Sequence, residues 1–230
     1  MRRNKPSAFT LIELLVVIAI IAVLASFAVP AITSALTKGQ LVGTVNNARQ
    51  YFLASYQMAL DGNTNSDVNY QWPGDYITPA PITSLEVFSS KLVTNQYLKT
   101  GDLAKLLSGP GAIVAATSTT DSSGVTTVTL TGTPGLKVYE VKDADAANTI
   151  FAVSANYTYN TALTSTVSPY GDKGFVVIRK GGDCLSLRKN NALAANYPNA
   201  AAFQSAVGKL TGDVDGTLGT ESSSLVLAFP

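Results

Sequence analysis

Residues 1–30 read MRRNKPSAFTLIELLVVIAIIAVLASFAVP. A short basic leader (Arg2, Arg3, Lys5) precedes the small residue Ala8. An apolar run follows from Phe9 to Val29, broken by a single acid, Glu13. As a helix, those 21 residues measure about 30 Å, the hydrocarbon thickness of a bilayer. The leader cations place the N-terminus in the cytoplasm and the rest of the chain outside.

Three readings fit this pattern. One is an ordinary secretory signal, cut after Ala28 at the small-x-small site Ser26-Phe27-Ala28. Another is a plain single-span anchor. The third is a leader cut just before the run, leaving the run on the mature chain. Glu13 bears on the choice. A carboxylate in an apolar segment costs about 2.5–3.5 kcal/mol on insertion scales and is functional by default. A generic signal or anchor has no use for it.

The segment Ala8-Phe9-Thr10-Leu11-Ile12-Glu13-Leu14-Leu15-Val16-Val17 resembles the cleavage and methylation motif of type IV prepilins and type II secretion pseudopilins. The resemblance covers the first thirty residues. It implies that a prepilin peptidase cuts between Ala8 and Phe9 and that the new Phe9 amine is methylated. It places Glu13 at the fifth mature position, where the family has glutamate, and Pro30 at the twenty-second, where proline is common. Ala8 departs from the family's glycine. The implied fold is α+β: a long N-terminal helix, its first half membrane-spanning, packed on a mainly antiparallel sheet domain. The implied role is a filament subunit, of a type IV pilus or a secretion pseudopilus. Its partners are further copies or related pilins, the peptidase, an inner-membrane assembly platform and the membrane. It starts as a single-pass inner-membrane protein and ends in an extracytoplasmic filament. The alternative is a secreted or membrane-anchored binding or adhesin-like domain behind an ordinary signal.

Composition narrows the rest. Charged residues are 13% of 230, with abundant hydroxyls, as on extracellular or structural β-rich surfaces. Without the leader, Lys+Arg falls from 16 to 13 against 15 acids, a side-chain sum of −2. No basic patch interleaves with aromatics, so nothing supports nucleic-acid binding. The chain has no histidine, which removes Ser-His and Cys-His catalysis and most zinc sites. Its one cysteine, Cys184, has no internal disulfide partner and reads as a buried small apolar residue. No enzyme activity and no cofactor are expected.

Three segments follow: a leader over 1–8, a long helix over 9–60 (9–29 in the membrane) and an extracytoplasmic domain over 61–230. Beyond Pro30, the residues Leu41, Val45, Ala48, Phe52, Tyr56 and Ala59 recur at helical spacing. Asp61-Gly62-Asn63 reads as the stop, giving a helix of 52 residues, about 78 Å if unbroken. Pro30, Gly39 and Gly43 mark where this helix loosens; the two glycines suit a close helix approach or a stretching point and equally a weakly helical surface segment. Residues 61–83 read as a loop pinned by Trp72 and Tyr76, with contact to neighbouring subunits as the other reading. Thr83-Ser84-Leu85-Glu86 reads as a capping box opening a helix over 84–98, broken by Thr100-Gly101-Asp102, with a further turn near 103–107. Strands are expected over 112–116, 125–131, 136–141, 149–159, 175–180, 184–187 and 224–229, with a short helix over 198–210.

Asp213, Asp215 and Glu221 form a weak calcium candidate; an Asp-Gly-rich turn is the alternative, because the EF-hand spacing is absent. Asp143/Asp145 and Asp172/Asp183 could be paired carboxylates for hydrolysis, but the sequence gives them no geometry.

Overall fold

A computed structural model describes residues 10–77 and 80–230. The chain divides into two compact units, Met1–Gly39 and Gln40–Pro230. The first is described here only as the opening part of helix α1 (Leu11–Asn65). The second holds the rest of α1, then α2 (Leu85–Thr94) and α3 (Thr100–Leu107). Strands β1 (Val114–Thr120), β2 (Thr126–Gly132), β3 (Leu136–Val138), β4 (Ile150–Ser154), β5 (Phe175–Arg179) and β6 (Cys184–Leu187) come next, then helix α4 (Ala200–Ala206). β1 and β2 form a two-stranded antiparallel ribbon, and β3-β4-β5-β6 is a four-stranded antiparallel meander. This is the expected α+β class, a long apolar helix with its second half packed on antiparallel sheet.

The core lies between α1 and the meander. β4 is buried throughout and β5 over Phe175–Ile178, which is why IFAV and FVVI are continuous apolar runs rather than alternating ones; the buried Ser154 hydroxyl accepts from the Val176 N–H. The inward face of α1 carries Leu41, Ala48, Tyr51, Phe52, Ser55, Met58, Ala59 and Gly62. That stripe is rotated from the expected one: Tyr56 stands 44% exposed, its ring beside Phe52 and Trp72. Trp72 is buried against Phe52 and Phe151, and Tyr76 donates its hydroxyl to the Asn69 carbonyl. Both pin the loop.

Several boundaries move for physical reasons. α1 runs five residues past Leu60 and ends where Ser66 takes a positive φ. Gly62 is no stop: a Cβ there would sit 1.6 Å from the Tyr70 carbonyl oxygen, so glycine lets the returning chain lie on the helix. α2 is capped by Ser84, whose hydroxyl accepts from the Glu86 N–H, so the capping box expected at Thr83 does not form. α2 closes with Gln96 at φ 63°, as the Tyr97 N–H reaches the Leu92 carbonyl and the Gln96 N–H that of Val93, a Schellman pattern without glycine. Thr100-Gly101-Asp102 is the first turn of α3 rather than a break. The expected strand over 224–229 is reduced to single bridges, Val226 to Tyr139 and Ala228 to Ser84.

Candidate functional site

The expected cleavage and methylation site, Ala8 and Phe9, lies outside the described residues. The described helix starts beside it. The Thr10 backbone N–H and hydroxyl both donate to Glu13 Oε2 at 2.8 Å, and the Glu13 N–H donates back to Thr10 Oγ1 at 3.3 Å. This is a reciprocal capping box, with Thr10 as cap and Glu13 as third helical residue. It satisfies amide groups that the first turn of any helix leaves open and sets a carboxylate against the positive end of the helix dipole. Thr10 is a partner for Glu13 that the sequence reading missed, although the Thr-x-x-Glu spacing was its signal.

Above this cap, every large apolar side chain from Leu11 to Leu36 stands exposed. Soluble monomers rarely expose contiguous apolar patches beyond a few hundred Å². The helix is long and apolar enough to cross a membrane, the sole such helix among the described residues. Hydroxyls inside it return to its own backbone: Ser26 to Val23, Thr33 to Pro30 and Thr37 to Thr33, at 2.7–3.0 Å. They therefore add no unsatisfied polar group to the apolar surface.

α1 stays helical through Pro30, Gly39 and Gly43, so the loosening expected at these residues does not break it here. Pro30 offers no N–H to the Ser26 carbonyl one turn back, the local cost of that residue. A Cβ on Gly39 or Gly43 would meet nothing within 4 Å, so no contact within the chain requires glycine at either position.

The three calcium candidates are held apart by partners of their own. Glu221 accepts from Lys137 Nζ at 2.5 Å, the Tyr139 hydroxyl at 2.7 Å and the Tyr159 N–H at 2.8 Å. Burial, with the Glu221 carboxylate beside it, pushes the Tyr139 hydroxyl well above its ordinary range. Asp215 pairs with Lys209, and Asp213 accepts from the Leu210 and Gly219 amides. The turn that carries the two aspartates is organised by Gln204, a buried residue that sequence reasoning passed over. Its Nε2 donates to the Val214 and Thr217 carbonyls at 3.2 and 2.8 Å, and its Oε1 accepts from the Gly216 N–H at 2.7 Å. An amide thus takes up the backbone groups around which the turn closes. Among the described residues no three metal-ligating side chains converge.

Of the four carboxylates suggested for hydrolysis, Asp145, Asp172 and Asp183 have partners of their own. Asp145 accepts from the Lys142 N–H and the Thr211 hydroxyl, while the Asp143 N–H donates to Asp75. Burial holds the Asp75 carboxyl above its usual range, and the nearby Asp143 and Asp145 charges add to this. Asp172 pairs with Lys189, whose hydrogen bond and charge lower its carboxyl, and Asp183 pairs with Arg179. Cys184 is half-buried rather than buried, its thiol raised mainly by burial.

A capped, acid-bearing helix with its apolar side chains exposed from Leu11 to Leu36 thus follows a short basic leader in the sequence. The family described as the prokaryotic N-terminal methylation motif matches residues 3–29. The N-terminus is that of a type IV pilin-like prepilin. Comparison with curated proteins and with solved structures gave no match. The prepilin match ends at residue 29, so everything from Pro30 onward is described by its own geometry.

Proposed function

We propose that this chain is a structural subunit of an extracytoplasmic pilus-like or pseudopilus filament. A prepilin peptidase cuts between Ala8 and Phe9, the Phe9 amine is methylated, and the mature subunit waits in the inner membrane with its domain outside. The assembly platform then draws α1 out of lipid into a bundle of sister helices, where packing replaces lipid contacts. The observation that carries this reading is the Thr10–Glu13 box at the foot of a helix whose large apolar side chains from Leu11 to Leu36 are all exposed.

Glu13 is the register element. Thr10 holds its carboxylate at the helix N-terminus, pre-aimed while the subunit is alone. In the bundle it pairs with the Phe9 ammonium of a neighbour, because a buried carboxylate needs a counter-charge. Pro30, with its missing amide, is where α1 gives during insertion. The test is Glu13→Ala. Mass spectrometry should still find a mature chain starting at Phe9, and sheared surface or periplasmic material should contain no filaments. Normal filaments from that variant would sink the register role. A mature chain starting at Val29 would replace the whole reading with an ordinary signal peptide.

A further inference from the structure

The Gln40–Pro230 unit carries a cleft that the filament reading does not use. Its floor is one face of α2, where Val87, Lys91 and Thr94 recur at helical spacing. One wall is the loop over 67–70 and the other is the opening of β2 over 125–127. The cavity measures about 470 Å³, within the range that small-molecule sites occupy. Both walls are fixed by bonds of the chain itself. Thr94 Oγ1 donates to the Thr126 carbonyl and accepts from the Thr126 N–H, each at 3.0 Å, and Ser90 Oγ accepts from the Val128 N–H at 2.8 Å. These bonds tie α2 to β2. Across the cleft, Asp67 Oδ1 accepts from the Asn69 N–H and side-chain amide at 2.8 and 3.0 Å, closing an Asx turn. The Tyr76 hydroxyl donates to the Asn69 carbonyl at 2.8 Å and accepts from the Gln71 N–H at 3.1 Å. The cleft is therefore preformed, and a ligand entering it has little chain to order.

The groups left over inside it have a definite character. The Ser90 and Thr94 hydroxyls are taken. Among the described residues, Asp67 Oδ2, Lys91 Nζ, the Asn95 side-chain amide and the Tyr70 hydroxyl have no hydrogen-bond partner, and neither Asp67 nor Lys91 has an ion-pair partner. Lys91 Nζ lies over the Tyr76 ring instead, 5.8 Å from its centroid. Apolar surface separates these polar groups. Val87 and Val125 are 49% and 51% exposed, and the half-buried Tyr70 ring is held edge-on to Tyr97.

We propose that the cleft between α2, the 67–70 loop and the start of β2 binds a neutral saccharide of one or two hexose rings. A carboxylate and an ammonium line the same space, so a ligand of strong net charge is repelled by one of them. A sugar hydroxyl both donates and accepts. One ligand can therefore serve Asp67, which only accepts, and Lys91, which only donates. The Asn95 amide and the Tyr70 hydroxyl do both, as vicinal hydroxyls require. The C–H face of a pyranose ring is apolar and suits the Tyr70 ring and the two valines. The site lies outside the region matched by the methylation motif and does not rest on the filament reading.

Calorimetric titration of the full chain, in a detergent without a sugar headgroup, tests it with maltose, lactose, cellobiose and diacetylchitobiose. At least one should bind with a Kd of about 1 mM or below. Raising NaCl to about 0.5 M should leave that Kd within about twofold, because the ligand is uncharged. Asp67→Asn keeps the oxygen that closes the Asx turn and turns the free one into a donor. Lys91→Met keeps the stem over Tyr76 and removes the ammonium. Each should weaken binding at least about tenfold, while Thr129→Ala, on the exposed face of β2, should leave it unchanged. If circular dichroism shows that either cleft variant has unfolded, Tyr70→Phe takes its place, with a loss of about threefold. No binding of any of the four sugars at about 10 mM, or equal affinity in the parent and the folded cleft variants, would overturn the proposal. So would glycylglycine binding more tightly than every sugar, because the two charges would then be serving a zwitterion.

Discussion

Replacing Glu221 by alanine should cost the domain about 3–5 kcal/mol, the usual loss when one partner of a buried ion pair is removed. The side chains of Lys137 and Glu221 are 19% and 11% exposed, so water offers little replacement. Three donors lose their acceptor at once: the Lys137 ammonium, the Tyr139 hydroxyl and the Tyr159 amide. Each stranded donor alone costs about 1–3 kcal/mol, but Lys137 can swing toward solvent, so the three do not simply add. Against a total stability of about 5–15 kcal/mol this is a large fraction. Trp72, the single tryptophan, is 3% exposed and reports unfolding by its fluorescence. In urea, with a slope of about 2 kcal/mol per molar, the midpoint should fall by roughly 2 M. The double variant Lys137→Met/Glu221→Leu should recover only the Lys137 share of the loss, because the Tyr139 hydroxyl and the Tyr159 amide still lack their acceptor. A loss below about 1 kcal/mol in Glu221→Ala, with the slope unchanged, would refute the claim that this carboxylate holds the C-terminal segment to β3.

Other outcomes follow from single contacts. Gly62→Ala drives a Cβ into the Tyr70 carbonyl and should destabilise by about 1–3 kcal/mol, read in the same urea titration. Gln204→Leu leaves the Thr217 carbonyl and the Gly216 amide without partners, while the Val214 carbonyl keeps the Thr217 N–H; it should lower stability by about 1–3 kcal/mol and speed amide exchange at Gly216. Calcium should restore neither. Asp75 has a folded-state carboxyl raised by burial, so its folded form keeps a proton that the unfolded form has already lost. Stability therefore falls as pH rises through that window, from about 3.8 upward. Asp75→Asn should gain on the parent as pH climbs from 4 to 6, in thermal melts at matched ionic strength; a gap independent of pH would count against the assignment.

What was legible in the sequence was whatever depends on local composition. The apolar run, its lone acid and the proline give a membrane-length helix and the prepilin motif without any tertiary contact. The strands came through as types for the same reason: IFAV and FVVI are buried on both faces, and that burial is written as unbroken apolar residues. Positions were less legible where a residue's role is set by something distant in sequence. Gly62 looked like a stop and is an approach point for Tyr70. Ser84 displaced Thr83 as cap, because Glu86, which a box would have turned inward on its own helix, reaches the Leu130 amide instead. The box motif was read at Thr83 and overlooked at Thr10, where it forms.

By itself the sequence determined the class of N-terminus and the α+β order of elements, because both rest on hydrophobic patterning over neighbouring residues. Only the tertiary structure decided that Glu221 belongs to a lysine and two tyrosines and that Gln204 organises the aspartate turn. Those are pairings across tens of residues. A side chain states what bonds it can make; the fold decides which partner is within 3 Å of it.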